Sequence, residues 1–307
     1  MITMNGLLMA LLGAVSQGVL WGVMVLGVYI TFKLLNIADM TVDGSFALGG
    51  CICAVMIINF NMDPFLALLL ATLAGVAAGA VTGVLQTFFE IPAILAGILT
   101  QISLWSINLR IMGKSNIPLL KVDTLMTKIV ALTGCTQSQA SLIIGIIVAI
   151  AMISGLYWFF GTEIGSALRA TGDNEDMIRA QGVDTKMTKL LALMLSNGLV
   201  GLAGGLVCQS QKYADISMGT GAIVIGLAAI VIGEVLMGKL KSFYSKLAFA
   251  VIGSIVYFLI RAIVLQLGMD ANDMKLLSAV IVALALCAPT AMAKWKNKQA
   301  YSEEGKE

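Results

Sequence analysis

The chain has 307 residues, of which 59% are hydrophobic and 12% are charged, and its formal net charge is +2. Soluble domains carry about 25% charged residues, so this composition excludes an ordinary soluble protein and indicates a polytopic membrane protein. The basic residues stand at the ends of apolar segments, which excludes a nucleic-acid-binding face. Histidine is absent and no CxxC pair occurs among the five cysteines, so no metal site is predicted.

Nine apolar stretches are long enough, or nearly so, for a helix to cross the roughly 30 Å hydrocarbon core of a bilayer. They are 7–31, 44–60, 65–89, 91–112, 141–160, 189–210, 221–238, 246–267 and 276–293. The first lacks the positive flank of a cleavable signal peptide and is interpreted as a retained span. The second is short, which predicts a broken or tilted helix. The predicted fold is all-α: a polytopic helical membrane protein of about nine transmembrane helices in one domain, 1–307.

Lysine and arginine in the connections predict the orientation, because cytoplasmic loops carry an excess of both. The connections 161–189 and 238–246 and the C-terminal tail are basic, and they fall on one side of the predicted topology. That side is predicted to be the cytoplasm, with the C-terminus inside and the N-terminus outside. The predicted external loop 113–140 carries three lysines, which argues against this orientation for the first half.

Two acidic turns resemble each other. "NIADMTVDG" (36–44) and "KYADISMGTG" (212–221) share an Ala-Asp pair followed by similar residues, and each follows one long span and precedes a Gly-rich one. The predicted topology puts them on opposite sides, which indicates an inverted repeat, as in many transporters. Chance similarity is the alternative. The predicted halves are 1–140 and 189–293, joined by a cytoplasmic segment, 161–188.

Asp39 and Asp43 in the first turn, and Asp215 in the second, are candidate loop or gate residues. A buried, unpaired carboxylate is costly, so we expect Asp39 and Asp43 to lie at the cytoplasmic turn rather than inside the bundle. Two roles remain open for them. They cap the broken second helix, together with Thr41, or they form part of an inner gate; capping is favoured.

The connection 161–189 contains a short helix with strong start and stop signals. Asp173 or Asn174 is the predicted cap, and Gly182 the predicted left-handed stop. Between them lie Glu175, Asp176, Met177, Ile178, Arg179 and Ala180. Met177 and Ile178 are expected to be exposed and to dock into a groove of a partner. A solvated linker is the alternative.

At this segment the chain resembles a known family. "GSALRATGDNEDMIRAQGVDTKMTKLLALMLSNGLVGLAGGL" (165–206) is similar to the coupling region of ABC-importer permeases of the branched-chain amino acid, ribose and autoinducer type. The matching positions are Arg169, Ala170, Thr171, Gly172, Asn174, Ala180 and Gly182. The spans 34–50 and 219–238 also resemble the family, although Gly233-Glu234 stands where it usually has Gly-Gly. Within the family the chain looks closest to amino-acid-type systems, including those proposed for aromatic amino acids.

The resemblance implies a type II ABC-importer-like permease in a prokaryotic inner membrane. It implies two ATPase subunits bound at the short helix, a second permease subunit as a homodimer, and an external binding protein or lipoprotein. ATP and Mg would bind to the ATPase, since this chain has no P-loop motif. The chain is thus expected to be a transport subunit rather than an enzyme, with no cofactor of its own.

Polar residues within spans are candidates for lining a pathway. Gln101, Trp105 and Asn108 share one face of the fourth span, and Gln17 lies in the first. Helix–helix hydrogen bonding is the alternative role. An ion-coupled secondary transporter is the competing function, and it leaves the capped helix without a role. A membrane enzyme or scaffold is a third class, but no catalytic constellation supports it.

Overall fold

The computed structural model describes residues 4–120, 122–238 and 242–268, together with residues 273, 276, 278–284 and 287. The long helices are α1 (Met4–Tyr29, extended by a π-helical turn, Ile30–Leu34), α2 (Thr41–Asn59), α3 (Pro64–Thr87), α4 (Ala93–Met112), α6 (Gln137–Phe160), α9 (Thr185–Gln211), α10 (Ala222–Met237) and α11 (Phe243–Gln266). The short elements are β1 (Asn116–Pro118), α5 (Leu125–Thr133), α7 (Glu163–Asp173), α8 (Glu175–Ala180) and β2 (Tyr213–Asp215).

The polytopic all-α prediction is confirmed. Within the described residues, seven helices are long and apolar enough to cross a membrane, and α10 is a shorter apolar helix of 16 residues. These eight correspond to the first eight predicted spans. The ninth, 276–293, and the basic tail lie mostly outside the described residues. The second span is a continuous helix of 19 residues that begins at Thr41, so the predicted break precedes it rather than interrupting it.

Successive long helices run between two ends of the bundle. At one end, called the α8 end, α7 and α8 connect α6 to α9. At the other, called the ribbon end, β1 and β2 pair as an antiparallel ribbon with Ile117 opposite Ala214. The predicted loop 113–140 contains β1 and α5 at the ribbon end and adds no crossing. One of its lysines, Lys128, forms an ion pair there with Asp63.

Close packing between helices depends on glycine. The small-residue faces of α3 and α9 meet each other: a Cβ at Gly75 would lie 2.2 Å from the carbonyl oxygen of Asn197, and one at Gly201 would lie 2.6 Å from that of Ala71. Apolar side chains drive little association in lipid, so close backbone approach of this kind stabilises the bundle. The two helices are thereby held in one register.

The two acidic turns share two local features. Asn36 and Lys212, each three residues before its aspartate, adopt φ values of 54° and 59°. Asp39 then accepts a hydrogen bond from the N–H of Thr41, and Asp215 accepts one from the N–H of Ser217, two residues on in both cases.

The surroundings of the turns also correspond. Asn36 contacts α7 at the α8 end, whereas β2 carries the second turn at the ribbon end. Helix α1 packs on α11, and its counterpart α9 packs on α3. In the same way α2 packs on α3, and its counterpart α10 packs on α11. The helix triplets α1–α3 and α9–α11 therefore make corresponding contacts, while the inverted repeat with halves 1–140 and 189–293 stays a prediction.

Candidate functional site

The predicted short helix is present at the α8 end. Asn174, rather than Asp173, caps α8: its side-chain oxygen accepts a hydrogen bond from the N–H of Met177 at 3.0 Å. Gly182 follows the helix with φ of 88°, a left-handed conformation that glycine adopts without strain. The helix, its cap and its glycine stop are confirmed as structure, and its docking role stays a prediction.

One ion pair joins α8 to the first turns of α9. Glu175 accepts hydrogen bonds from Arg179 at 2.8 Å and from Lys189, on α9, at 2.5 Å. The hydrogen bond from Lys189 is the main reason that the pKa of Glu175 lies below its ordinary value, although burial opposes the shift. Asp184 caps α9 by accepting from the N–H of Lys186 at 2.9 Å. Helix α8 is therefore held firmly against α9.

The outer surface of α8 is partly apolar. Met177 is 51% exposed, and Asp176 and Ala180 are also exposed. The expectation that Ile178 is exposed as well is wrong, because Ile178 is only 5% exposed. Ile178 lies about 100° around the helix from Met177, on the side of α8 that is buried. A partner at this surface would meet Met177.

The first acidic turn is joined to α7. The side chain of Asn36 donates a hydrogen bond to the carbonyl oxygen of Gly172, the second-last residue of α7, at 3.2 Å. Gly172 packs closely on Leu34: a Cβ at Gly172 would lie 1.6 Å from the carbonyl oxygen of Leu34. The segment that joins α1 to α2 therefore contacts the helix directly before α8.

Asp39 is buried, which corrects the expectation of an exposed cytoplasmic turn. Its exposure is 2%, and its carboxylate is held by the N–H of Thr41 at 2.9 Å and the amide of Asn197, on α9, at 2.7 Å. Asn197 in turn accepts a hydrogen bond from Ser45 at 2.7 Å. Burial is tolerated because polar partners surround the carboxylate. Sequence reasoning missed Asn197, although a polar residue within an apolar span was a signal for it.

Asp43 caps a different helix from the one expected. Its carboxylate accepts hydrogen bonds from the N–H groups of Gly221 at 2.8 Å and Ile223 at 2.9 Å, so it caps α10 rather than α2. A carboxylate at a helix N-terminus is favoured by the helix dipole. Thr41 caps neither helix through its side chain, which hydrogen-bonds Thr82. Of the predicted capping residues, only Asp39 accepts a hydrogen bond from an N–H group at the start of α2.

Asp215 lies in the second turn at the ribbon end. Besides Ser217, Asn116 of β1 donates to its carboxylate at 3.3 Å. Partial burial alone would raise its pKa, but the hydrogen bonds from Ser217 and Asn116 outweigh this and lower it. The described residues contain no group of three or more His, Cys, Asp or Glu side chains that could hold a metal.

Three of the four pathway candidates share one small cavity. Gln101, Trp105 and Asn108 line a space of about 30 Å³ beside Asp43. Trp105 is 52% exposed, whereas Asn108 is fully buried and its amide has no hydrogen-bond partner among the described residues. Gln17 lies elsewhere: it contacts Ser210 and Gln211 near the ribbon end.

A larger cleft between α1, α9, α10 and α11, near the ribbon end, was not predicted as a site. It consists of two cavities of about 420 and 310 Å³ that share Trp21, Gln211 and Arg261, and Gln17 lines the smaller one. No local pattern in the sequence indicates that α1 and α9 lie beside Arg261.

Seven described helices long and apolar enough to span a membrane, with a short capped helix at one end of the bundle, define a polytopic membrane protein. The chain belongs to the family of branched-chain amino acid transport system permease components, whose family model matches residues 10–287. It is thus an ABC transporter permease, and the family resemblance is confirmed.

Named relatives include permeases of several transport systems. The chain is 37% identical to the tyrosine transport system permease protein of Clostridioides difficile over 89% of this chain and 88% of that protein. It is 26% identical to the probable branched-chain amino acid transport permease protein LivH of Methanocaldococcus jannaschii, over 85% and 89% of the two chains. It is 24% identical to the ribose import permease protein RbsC of Escherichia coli, over 81% and 75%. No solved structure matches the chain.

Proposed function

We propose that this chain is the permease subunit of an ATP-driven importer that carries an amino acid from an external binding protein into the cytoplasm. The α8 end is cytoplasmic, with the C-terminus on the same side. ATPase subunits dock on α8 and bind the ATP and Mg, and two copies of the chain form the transporter. The name of the tyrosine permease relative and the family description support an amino acid as substrate.

The observation that carries the proposal is the continuous connection from α8 to the bundle interior. Helix α8 presents Met177 outward and is fixed to α9 by Glu175. Further along the same helix, Asn197 holds Asp39 at the start of α2. A displacement of α8 by a docked ATPase would therefore reach the first acidic turn through a single rigid helix.

Binding of the ATPase tests this role. Replacing Met177 by Asp puts a charge on the docking surface, and Leu132→Asp is the matched control, because Leu132 is 84% exposed on α5 at the opposite end. In the complete importer we expect Met177→Asp to lower ATPase co-purification and uptake by about tenfold or more, as for a central interface residue. Leu132→Asp should retain the ATPase. Wild-type ATPase retention and uptake in Met177→Asp would contradict the proposed docking.

One observation favours a second candidate, an ion-coupled secondary transporter. The unpartnered amide of Asn108 and the carboxylate of Asp43 line the same small cavity, and together they offer oxygen ligands to a small cation. Uptake by the purified chain alone, driven by an ion gradient without any ATPase, would favour this candidate and exclude the first.

A further inference from the structure

The cleft near the ribbon end contains an arginine, Arg261, for which the described residues provide no counter-ion. Arg261 is the only charged side chain among the described residues that line its two cavities. It forms no ion pair with the described residues, and its guanidinium lies 5.9 Å from the ring centre of Phe258. A charge in an apolar setting is stabilised by an opposite charge, so the cleft is suited to an anion.

A second donor in the same cleft also lacks a partner. Trp21 is 8% exposed and lines both cavities, and its indole N–H has no hydrogen-bond acceptor among the described residues. The ring is held in place, with ring centres 4.6 Å from Phe46 and 5.5 Å from Phe258. Buried donors are nearly always satisfied, so an unpaired one in a cavity indicates a ligand or water.

The remaining lining matches a small amphipathic molecule. The cavity volumes lie in the range of roughly 300 to 1,000 Å³ found for small-molecule sites. Gln17 and Gln211 bring amide groups to the cleft, which can accept from an ammonium group. Val207 and Ile225 supply apolar wall to the larger cavity. A carboxylate, an ammonium group and an apolar side chain would each meet a suitable surface.

We infer that this cleft receives the substrate, with Arg261 binding its carboxylate and the indole N–H of Trp21 donating a second hydrogen bond. The inference rests on the proposed import of an amino acid and assigns the residues that hold it inside the permease. Arginine binds carboxylates with two parallel hydrogen bonds, which lysine cannot reproduce. Phe258 and Trp21 would flank the side chain of the bound amino acid.

The test uses proteoliposomes that contain the complete importer with its ATPase and binding protein, and it measures the maximal rate of ATP-driven uptake of labelled L-tyrosine. Arg261→Gln removes the charge and Arg261→Lys retains it. Trp21→Phe removes only the N–H and keeps a ring against Phe46. The matched control is Arg110→Gln, because Arg110 is an exposed arginine at the ribbon end of α4 that lines neither cavity. Basal ATPase activity reports that each variant is assembled.

We expect Arg261→Gln to lower the uptake rate by about tenfold or more, Arg261→Lys by less, and Trp21→Phe by about three- to tenfold. Arg110→Gln should transport at the wild-type rate, with unchanged basal ATPase activity. Wild-type uptake in Arg261→Gln would overturn the assignment while leaving the proposed function intact. If the wild-type importer takes up D-ribose but neither L-tyrosine nor another amino acid, the proposed substrate class fails and the carboxylate assignment fails with it.

Discussion

The polar contact between α9 and the first acidic turn makes a large and specific prediction about stability. Asn197 is fully buried; it donates to Asp39 and accepts from Ser45, each at 2.7 Å. In Asn197→Ala, a carboxylate oxygen of Asp39 and the hydroxyl of Ser45 both lose a buried partner. Removing one partner of a buried charge costs about 3–5 kcal/mol, so the free energy of unfolding should fall by about that amount.

A second buried asparagine provides the control. Asn108 is also fully buried on an apolar helix, but its amide has no partner among the described residues. Asn108→Ala removes the same atoms without breaking a hydrogen bond, so it should cost less than about 1 kcal/mol. The two variants therefore separate the loss of a polar contact from the loss of side-chain volume.

The free energies of unfolding can be measured in mixed micelles by titration with SDS, followed by tryptophan fluorescence. The double variant Asp39→Ala with Asn197→Ala completes the cycle, because removing Asp39 removes the stranded charge. We expect the double variant to lose about 1–3 kcal/mol less than the sum of the single variants. If Asn197→Ala resembles Asn108→Ala, or if the cycle is additive, the buried carboxylate does not depend on Asn197 and the reasoning is refuted.

Three further predictions concern the α8 end and the helix packing. Gly182→Ala places a Cβ at φ of 88° and should cost about 1–2 kcal/mol, seen as faster amide exchange in α8; unchanged exchange would contradict it. Because Lys189 lowers the pKa of Glu175, their pair stabilises α8 above pH about 4, and this is lost as the pH falls through the lowered pKa. The protection factors of the α8 amides, which are corrected for the intrinsic pH dependence of exchange, should therefore fall at acid pH in the wild type and show no such step in Glu175→Gln; a step of equal size in both would exclude the pair as its cause. Gly75→Ala should abolish monodisperse protein in size-exclusion chromatography, since its Cβ would meet the Asn197 carbonyl, whereas Gly13→Ala, where the space is open, should behave as wild type. Equal elution profiles would show that the α3–α9 contact can relax.

The elements that sequence reasoning predicted are those with local signals. Length and apolarity mark the spans, and the cap Asn174 and stop Gly182 mark α8, because capping depends on residues a few positions apart. Helix α7 was missed because its amphipathic stretch lies in a segment interpreted as a connection.

What could not be predicted depends on partners distant in sequence. The burial of Asp39 requires Asn197, which is 158 residues away in the sequence. The capping role of Asp43 requires Gly221 at the start of α10, which is 178 residues away. No local pattern in "NIADMTVDG" distinguishes a solvent-exposed turn from a buried turn whose carboxylate is hydrogen-bonded. The cleft at Arg261 likewise depends on how α1, α9 and α11 meet.

The match between the two acidic turns has a consequence for motion. An offset of 176 positions relates Asp39 to Asp215 and also relates Asp43 to Gly219. These last two residues touch: a Cβ at Gly219 would lie 1.9 Å from the carbonyl oxygen of Asp43. Equivalent positions that meet lie where the two triplets touch, and a rocking of one triplet about this contact would move them least. If the triplets rock against each other, spin labels near Asp43 and Gly219 would keep their separation through the transport cycle, while labels at the helix ends would change theirs most. The contact between Asp43 and Gly219 would then be the pivot of the motion.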